Sequence, residues 1–138
     1  LYHADTTAHR ITAYPFDLER GQLGEGRLFH QFSTDKLHNY GGRPDGAAVD
    51  SEGAYWCAMF EGGRIVRFSP SGELLREIHL PVRCPTMIAF GGADLRTLYI
   101  TSACHHRSVT ELAQHPLSGC VLSVQVDVAG CIEHAYVV

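Results

Sequence analysis

Residues 54–68, Ala54-Tyr55-Trp56-Cys57-Ala58-Met59-Phe60-Glu61-Gly62-Gly63-Arg64-Ile65-Val66-Arg67-Phe68, read as two strands joined by a tight turn. Both arms are rich in the aromatic and β-branched side chains that suit a pleated surface. Glu61-Gly62-Gly63 supplies the positive φ that a short connection demands. Moving outward, Ser69-Pro70-Ser71-Gly72 is turn chemistry ahead of a third run, Glu73-Leu74-Leu75-Arg76-Glu77-Ile78, and the small-residue run Gly46-Ala47-Ala48-Val49-Asp50 precedes the hairpin. The unit therefore has four strands.

The same shape recurs on both sides. Upstream, Leu1-Tyr2-His3-Ala4-Asp5 and Arg10 to Asp17 form an alternating pair, followed by a strand around Arg27 to Phe32. Downstream, Thr86 to Phe90 leads into Thr97 to Ser102, and a longer insertion separates that run from Cys120 to Val126 and from Cys131 to Tyr136. Tyr2, Tyr55 and Tyr99 mark matching points, 53 and 44 residues apart. Four antiparallel strands repeating at this interval predict an all-β chain made of about three β-propeller blades. A single sandwich would fit the strand count and leave the likeness between units unexplained. The one helical signal is Ser108-Val109-Thr110-Glu111, capping-box spacing before Leu112-Ala113, with Pro116 as the stop. No linker interrupts the chain, so one domain over residues 1–138 is expected.

The chain carries a net charge of -4 with 11 Lys and Arg residues scattered along it, so no basic face is expected and nucleic acid is excluded as a partner. No apolar run approaches the roughly 20 residues that cross a bilayer, and no basic-then-apolar leader opens the chain; no membrane partner and a cytoplasmic location are expected. Five cysteines without a Cys-x-x-Cys pair read as reduced thiols. Leu1 opens inside a strand-like run, as a segment of a longer protein would.

The first strand of each blade lines a propeller's crowded central channel, and Gly46-Ala47-Ala48 is small enough for it. Gly41-Gly42-Arg43-Pro44-Asp45 leads into that strand, so the Asp45 carboxylate falls at the channel mouth. Two readings of Asp45 compete: shaping a Pro-Asp-Gly turn, or supplying a functional carboxylate. Pro85-Thr86-Met87-Ile88-Ala89-Phe90 aligns with Pro44-Asp45-Gly46-Ala47-Ala48-Val49, and puts Thr86 where Asp45 stands.

Four runs, Leu1-Tyr2-His3-Ala4-Asp5-Thr6, Pro44 to Gly53, Gly62 to Phe68 and Phe90 to Ser102, resemble the regucalcin/gluconolactonase family in order and spacing. The resemblance covers nearly the whole chain. It implies the C-terminal half of a six-bladed propeller that opens sugar lactones with a divalent metal, Ca2+ or Zn2+, at the channel mouth. Of the implied metal ligands, a Glu, an Asn and the Asp of Pro-Asp-Gly, this chain holds Asp45. The resemblance also implies that Asp45 takes a proton, as general base. Arg43, close by, is a candidate substrate contact. A non-catalytic calcium-binding or regulatory propeller and a related esterase are the alternatives. Partners are expected to be a small sugar lactone, and either the missing N-terminal half or another copy to cover the outer blade faces.

Other clusters are assigned no chemistry. His105-His106 is expected to be solvated, because strand neighbours point to opposite faces. Cys104-His105 is too close in sequence for nucleophile and base. Arg64 and Arg67 are expected to be solvated on one strand face, and Tyr55, Trp56, Phe60 and Phe68 to pack in blade cores.

Overall fold

The computed structural model describes residues 1–132. Twelve strands and one helix follow in order: β1 (Tyr2–Asp5), β2 (Arg10–Ala13), β3 (Phe16–Asp17), β4 (Gln22–Leu23), β5 (Arg27–Gln31), β6 (Arg43–Val49), β7 (Tyr55–Phe60), β8 (Arg64–Phe68), β9 (Leu74–His79), β10 (Pro85–Gly91), β11 (Thr97–Ser102), α1 (Val109–Gln114) and β12 (Val121–Gln125). The chain is all-β, built of antiparallel sheets in the orders β1-β2-β5, β6-β7-β8-β9 and β10-β11-β12, with β3-β4 as a separate small hairpin.

The middle sheet is the expected four-stranded blade, and two details at its flanks differ. The run from Arg10 to Asp17 breaks after Ala13, because Pro15 has no N–H for the ladder, and Phe16–Asp17 pairs instead with Gln22–Leu23. The last expected strand, Cys131 to Tyr136, falls mostly outside the described residues, and Cys131 and Ile132 are not in a strand. The N-cap half of the capping box forms, Ser108 accepting from the Glu111 amide at 3.1 Å to begin α1, while the Glu111 carboxylate pairs with Arg83 at 2.6 Å.

Alternation along β7 explains why three sheets stack. Tyr55, Cys57 and Met59 face one way and pack with Ile11, Phe29, Val66 and Phe68. Trp56 and Ala58 face the other way, against Ile65, Ile88, Leu98 and Ile100. The middle blade thus buries both faces. Its inner strand β6 lies against β10 on one side and β1 on the other. The outer face of the third sheet leaves Tyr99 and Val121 exposed. Tyr99 is therefore not the structural counterpart of Tyr55. Counted from Pro44 and Pro85, the ladder matches the Val49–Tyr55 pair with Phe90–Leu98, which leaves Tyr99 one residue out of step and on the solvent side.

A buried carboxylate pins this blade. Asp50 Oδ2 accepts from Trp56 Nε1 and Arg67 Nε, both at 2.8 Å, and Oδ1 accepts from the amides of Glu52 and Ala54 at 2.9 and 3.0 Å. Arg67 is consequently held inside, where solvation was expected. Arg64 pairs with Glu77, and three residues' separation on a strand puts the two arginines on opposite faces.

Candidate active site

Asp45 lies in a β-bulge. Pro44 pairs with Met59 and Ala47 with Cys57, so Asp45 and Gly46 together oppose Ala58 alone. An extra residue turns a side chain out of the pleat's alternation, which is how bulges re-aim groups. The third sheet repeats the device: Pro85 pairs with Ser102 and Met87 with Thr101, leaving Thr86 as the extra residue. Thr86 thus occupies the slot equivalent to that of Asp45, and its hydroxyl is spent on Thr101 Oγ1 at 2.7 Å.

Gly46 shows how tightly the inner strands meet. A Cβ there would lie 2.6 Å from the Thr86 carbonyl oxygen and 2.7 Å from Met87 Cα, both backbone positions. Glycine at this point lets β6 and β10 touch, which places Asp45 beside the neighbouring blade's bulge.

The Asp45 side chain is half-buried, and among the described residues it forms no ion pair and accepts no hydrogen bond. Desolvation raises its pKa above the usual carboxylate range, and the positive charge of Arg43 offsets this only in part. A desolvated, unpaired carboxylate is a hard oxygen donor suited to a divalent cation. No group of three or more His, Cys, Asp or Glu side chains able to hold a metal occurs among the described residues, and Asp45 by itself does not make a metal site.

Next to Asp45 the ion pairs cluster in a way the sequence concealed. Glu61, with φ at 63°, takes the left-handed conformation at the β7–β8 turn. Its carboxylate is approached by Lys36 at 3.3 Å, Arg107 at 3.4 Å and Arg43 at 3.7 Å. Burial opposes ionisation of Glu61, yet the cations Lys36, Arg43 and Arg107 win and lower its pKa. Arg43 and Arg107 both lie over the Phe60 ring, at 5.0 and 5.6 Å. Phe60 is thus only partly buried and stacks with cations; it is not a blade-core residue. Basic residues scattered in sequence are here gathered in space.

The remaining candidates behave as follows. His105 and His106 are exposed in a turn with ring centroids 3.6 Å apart, so the opposite-face argument does not apply to them, although their solvent exposure is as expected. Cys104 is exposed, and Cys57 is buried with its thiol pushed up to about 12, chiefly by desolvation. Asp50 went unrecognised as a structural centre because Asp50-Ser51-Glu52-Gly53 reads as a turn. The available signal was a tryptophan six residues on and an arginine at alternating distance in the next strand.

Residues 1–104 match the SMP-30/Gluconolactonase/LRE-like region. A 6-deoxy-6-sulfogluconolactonase from Pseudomonas putida is 56% identical over 132 residues, covering 96% of this chain and 44% of that protein. Regucalcin from Danio rerio is 36% identical over 125 residues, covering 90% of this chain and 41% of that protein. The crystal structure of a calcium-binding protein, regucalcin, from Agrobacterium tumefaciens superposes with a TM-score of 0.89 at 28% identity, over 99% of this chain and 45% of that one. The chain thus spans less than half the length of the relatives it matches. With the family model covering residues 1–104 and relatives matching along nearly all its length, the chain belongs to the SMP-30/gluconolactonase/LRE-like family of β-propellers.

Proposed function

We propose that this chain supplies about half of a propeller that hydrolyses a sugar lactone, with Asp45 as one ligand of a divalent cation, Ca2+ or Zn2+, and as the proton acceptor. The observation that carries the reading is Asp45 itself: a half-buried carboxylate, unpaired among the described residues, raised in pKa by desolvation and re-aimed by a bulge on the inner strand. A raised pKa brings a carboxylate nearer the working pH of a general base. The cation, when bound, polarises the lactone carbonyl. Asp45 orients a water and accepts its proton as the water oxygen adds to the carbonyl carbon. The ring C–O bond then breaks, and the proton passes to the departing alkoxide, giving the open hydroxy acid. Arg43, two residues away, contacts the substrate. The names of the relatives, 6-deoxy-6-sulfogluconolactonase foremost, support a gluconolactone-type substrate for the whole protein.

The test is lactonase turnover by the complete propeller with the divalent metal chelated and restored. Asp45→Asn is expected to lower kcat by about 100-fold or more, as loss of a general base does. Unchanged hydrolysis in that variant would end the catalytic reading. Retained Ca2+ binding without turnover in the wild type would favour a regulatory propeller.

A further inference from the structure

Four cations, Lys36, Arg43, Arg83 and Arg107, share the two carboxylates of Glu61 and Glu111 in one connected group that includes Arg43, the neighbour of Asp45. The group carries a surplus of two positive charges, one when the neighbouring Asp45 carboxylate is counted, in a chain whose net charge is -4. Two of its members are oddly provided for. Arg43 meets Glu61 only at 3.7 Å, beyond hydrogen-bond reach, and Arg107 meets it at a long 3.4 Å. Their side chains are only 30% and 15% exposed, and the buried Nε of each has no partner among the described residues. Both guanidinium groups are positioned by the Phe60 ring rather than by a bidentate carboxylate fork. A guanidinium so placed keeps planar donors available at a site that already excludes part of the solvent. Arg43 is also close enough to Asp45 for its charge to act on that carboxyl.

Resting on the lactonase reading above, we infer that Arg43 and Arg107, stacked with Phe60, recognise a tetrahedral oxyanion on the substrate. The substrate class is therefore a sugar lactone bearing a sulfonate or phosphate, and the pair determines specificity for that charge over a plain hydroxyl. Glu61 fixes the pair and limits the local repulsion, taking one long hydrogen bond from Arg107 and none from Arg43. An arriving oxyanion offsets the surplus charge, which a neutral lactone does not do.

The complete propeller is assayed with gluconolactone and with its 6-sulfonated and 6-phosphorylated counterparts. The wild type should favour a charged lactone in kcat/KM, and the preferred anion names the group. In Arg107→Gln the ratio of charged to neutral kcat/KM should fall by about 100-fold, chiefly through KM, as expected for loss of a charge-assisted contact to the substrate. Arg43→Gln is the second variant should the first not fold, and it should lower the same ratio. Equal use of neutral and charged lactones by the wild type, or an unaltered ratio in a folded variant, would overturn the inference. Calorimetric binding of the aldonate products with and without the 6-sulfonate or 6-phosphate, both of which carry the carboxylate, reads the same preference without turnover. No hydrolysis with retained discrimination between those products would sink the lactonase reading and leave the oxyanion site standing; no discrimination would sink the site.

Discussion

Replacing Asp50 by Ala should cost the complete propeller about 4 kcal/mol. The substitution removes an acceptor that serves Trp56 Nε1, Arg67 Nε and two backbone amides, in a place where Asp50 is 1% and Trp56 0% exposed. Breaking a buried charge pair by deleting one partner costs about 3–5 kcal/mol. Desolvated donors left without an acceptor cost about 1–3 kcal/mol each. Arg67 keeps Glu52 as a partner at 2.7 Å, which holds the total toward the middle of the first range. Asp50→Asn keeps the volume and one acceptor oxygen for the amides, but turns an NH2 toward two donors, so about 3 kcal/mol is expected. Urea unfolding reads both values. At a slope of about 2 kcal/mol per molar, the Ala variant's midpoint drops by about 2 M. Burial works against the Asp50 charge, but the hydrogen bonds from Arg67, Trp56, Ala54 and Glu52 outweigh it and lower the pKa. A depressed carboxyl contributes stability above its ordinary value near 3.9 and loses it as pH falls through the folded value, so Asp50→Ala should flatten that acid limb. A loss below about 1 kcal/mol in the Ala variant would refute the claim that this carboxylate pins the blade.

Asp45 should show the opposite sign. Its raised pKa means that ionisation opposes folding, so stability present below the ordinary carboxylate value is lost as pH rises through the folded one. In chelator at pH 7, Asp45→Asn should melt at or above the wild type, and the advantage should vanish below about pH 4; a lower melting temperature at pH 7 would contradict the desolvated carboxylate. Gly46→Ala forces backbone at Thr86 and Met87 to move and should cost about 1–3 kcal/mol by thermal melting, with a larger loss of turnover than of stability. The chain alone should self-associate through the third sheet's outer face, where Tyr99 and Val121 are exposed. Sedimentation should show a species larger than the monomer, reduced by Val121→Lys; a monodisperse, cooperatively folding monomer would contradict it.

The strands were legible because alternation of apolar residues and turn chemistry are local signals. Residues 54–68 alone specify a hairpin, and both of its faces are buried. What lay beyond local pattern was missed. Pro15 ends a strand that alternation alone would continue, and Tyr99 fits a repeat by identity while the ladder sets it one residue off. Arg67 looked solvated because its partner, Asp50, sits across a turn 17 residues away. The ion-pair cluster draws Lys36, Arg43, Glu61 and Arg107 from four separate segments, and no window of sequence contains them.

The position of Asp45 in the strand was legible for a different reason. The alignment of Pro44-Asp45-Gly46 with Pro85-Thr86-Met87 equated two residues of unlike chemistry, and the bulges show why the equation holds: each inner strand spends one extra residue at the same step after a proline. The backbone creates one slot per blade, and the side chain in the slot is free to differ because it does not take part in the ladder. Thr86 closes its slot by bonding to Thr101, whereas Asp45 is left desolvated and unpaired among the described residues. Packing therefore constrains where a functional group can stand, through Gly46 and the contact of β6 with β10, but not which group stands there. A propeller of this kind can change its chemistry blade by blade at this slot while its cores remain as they are.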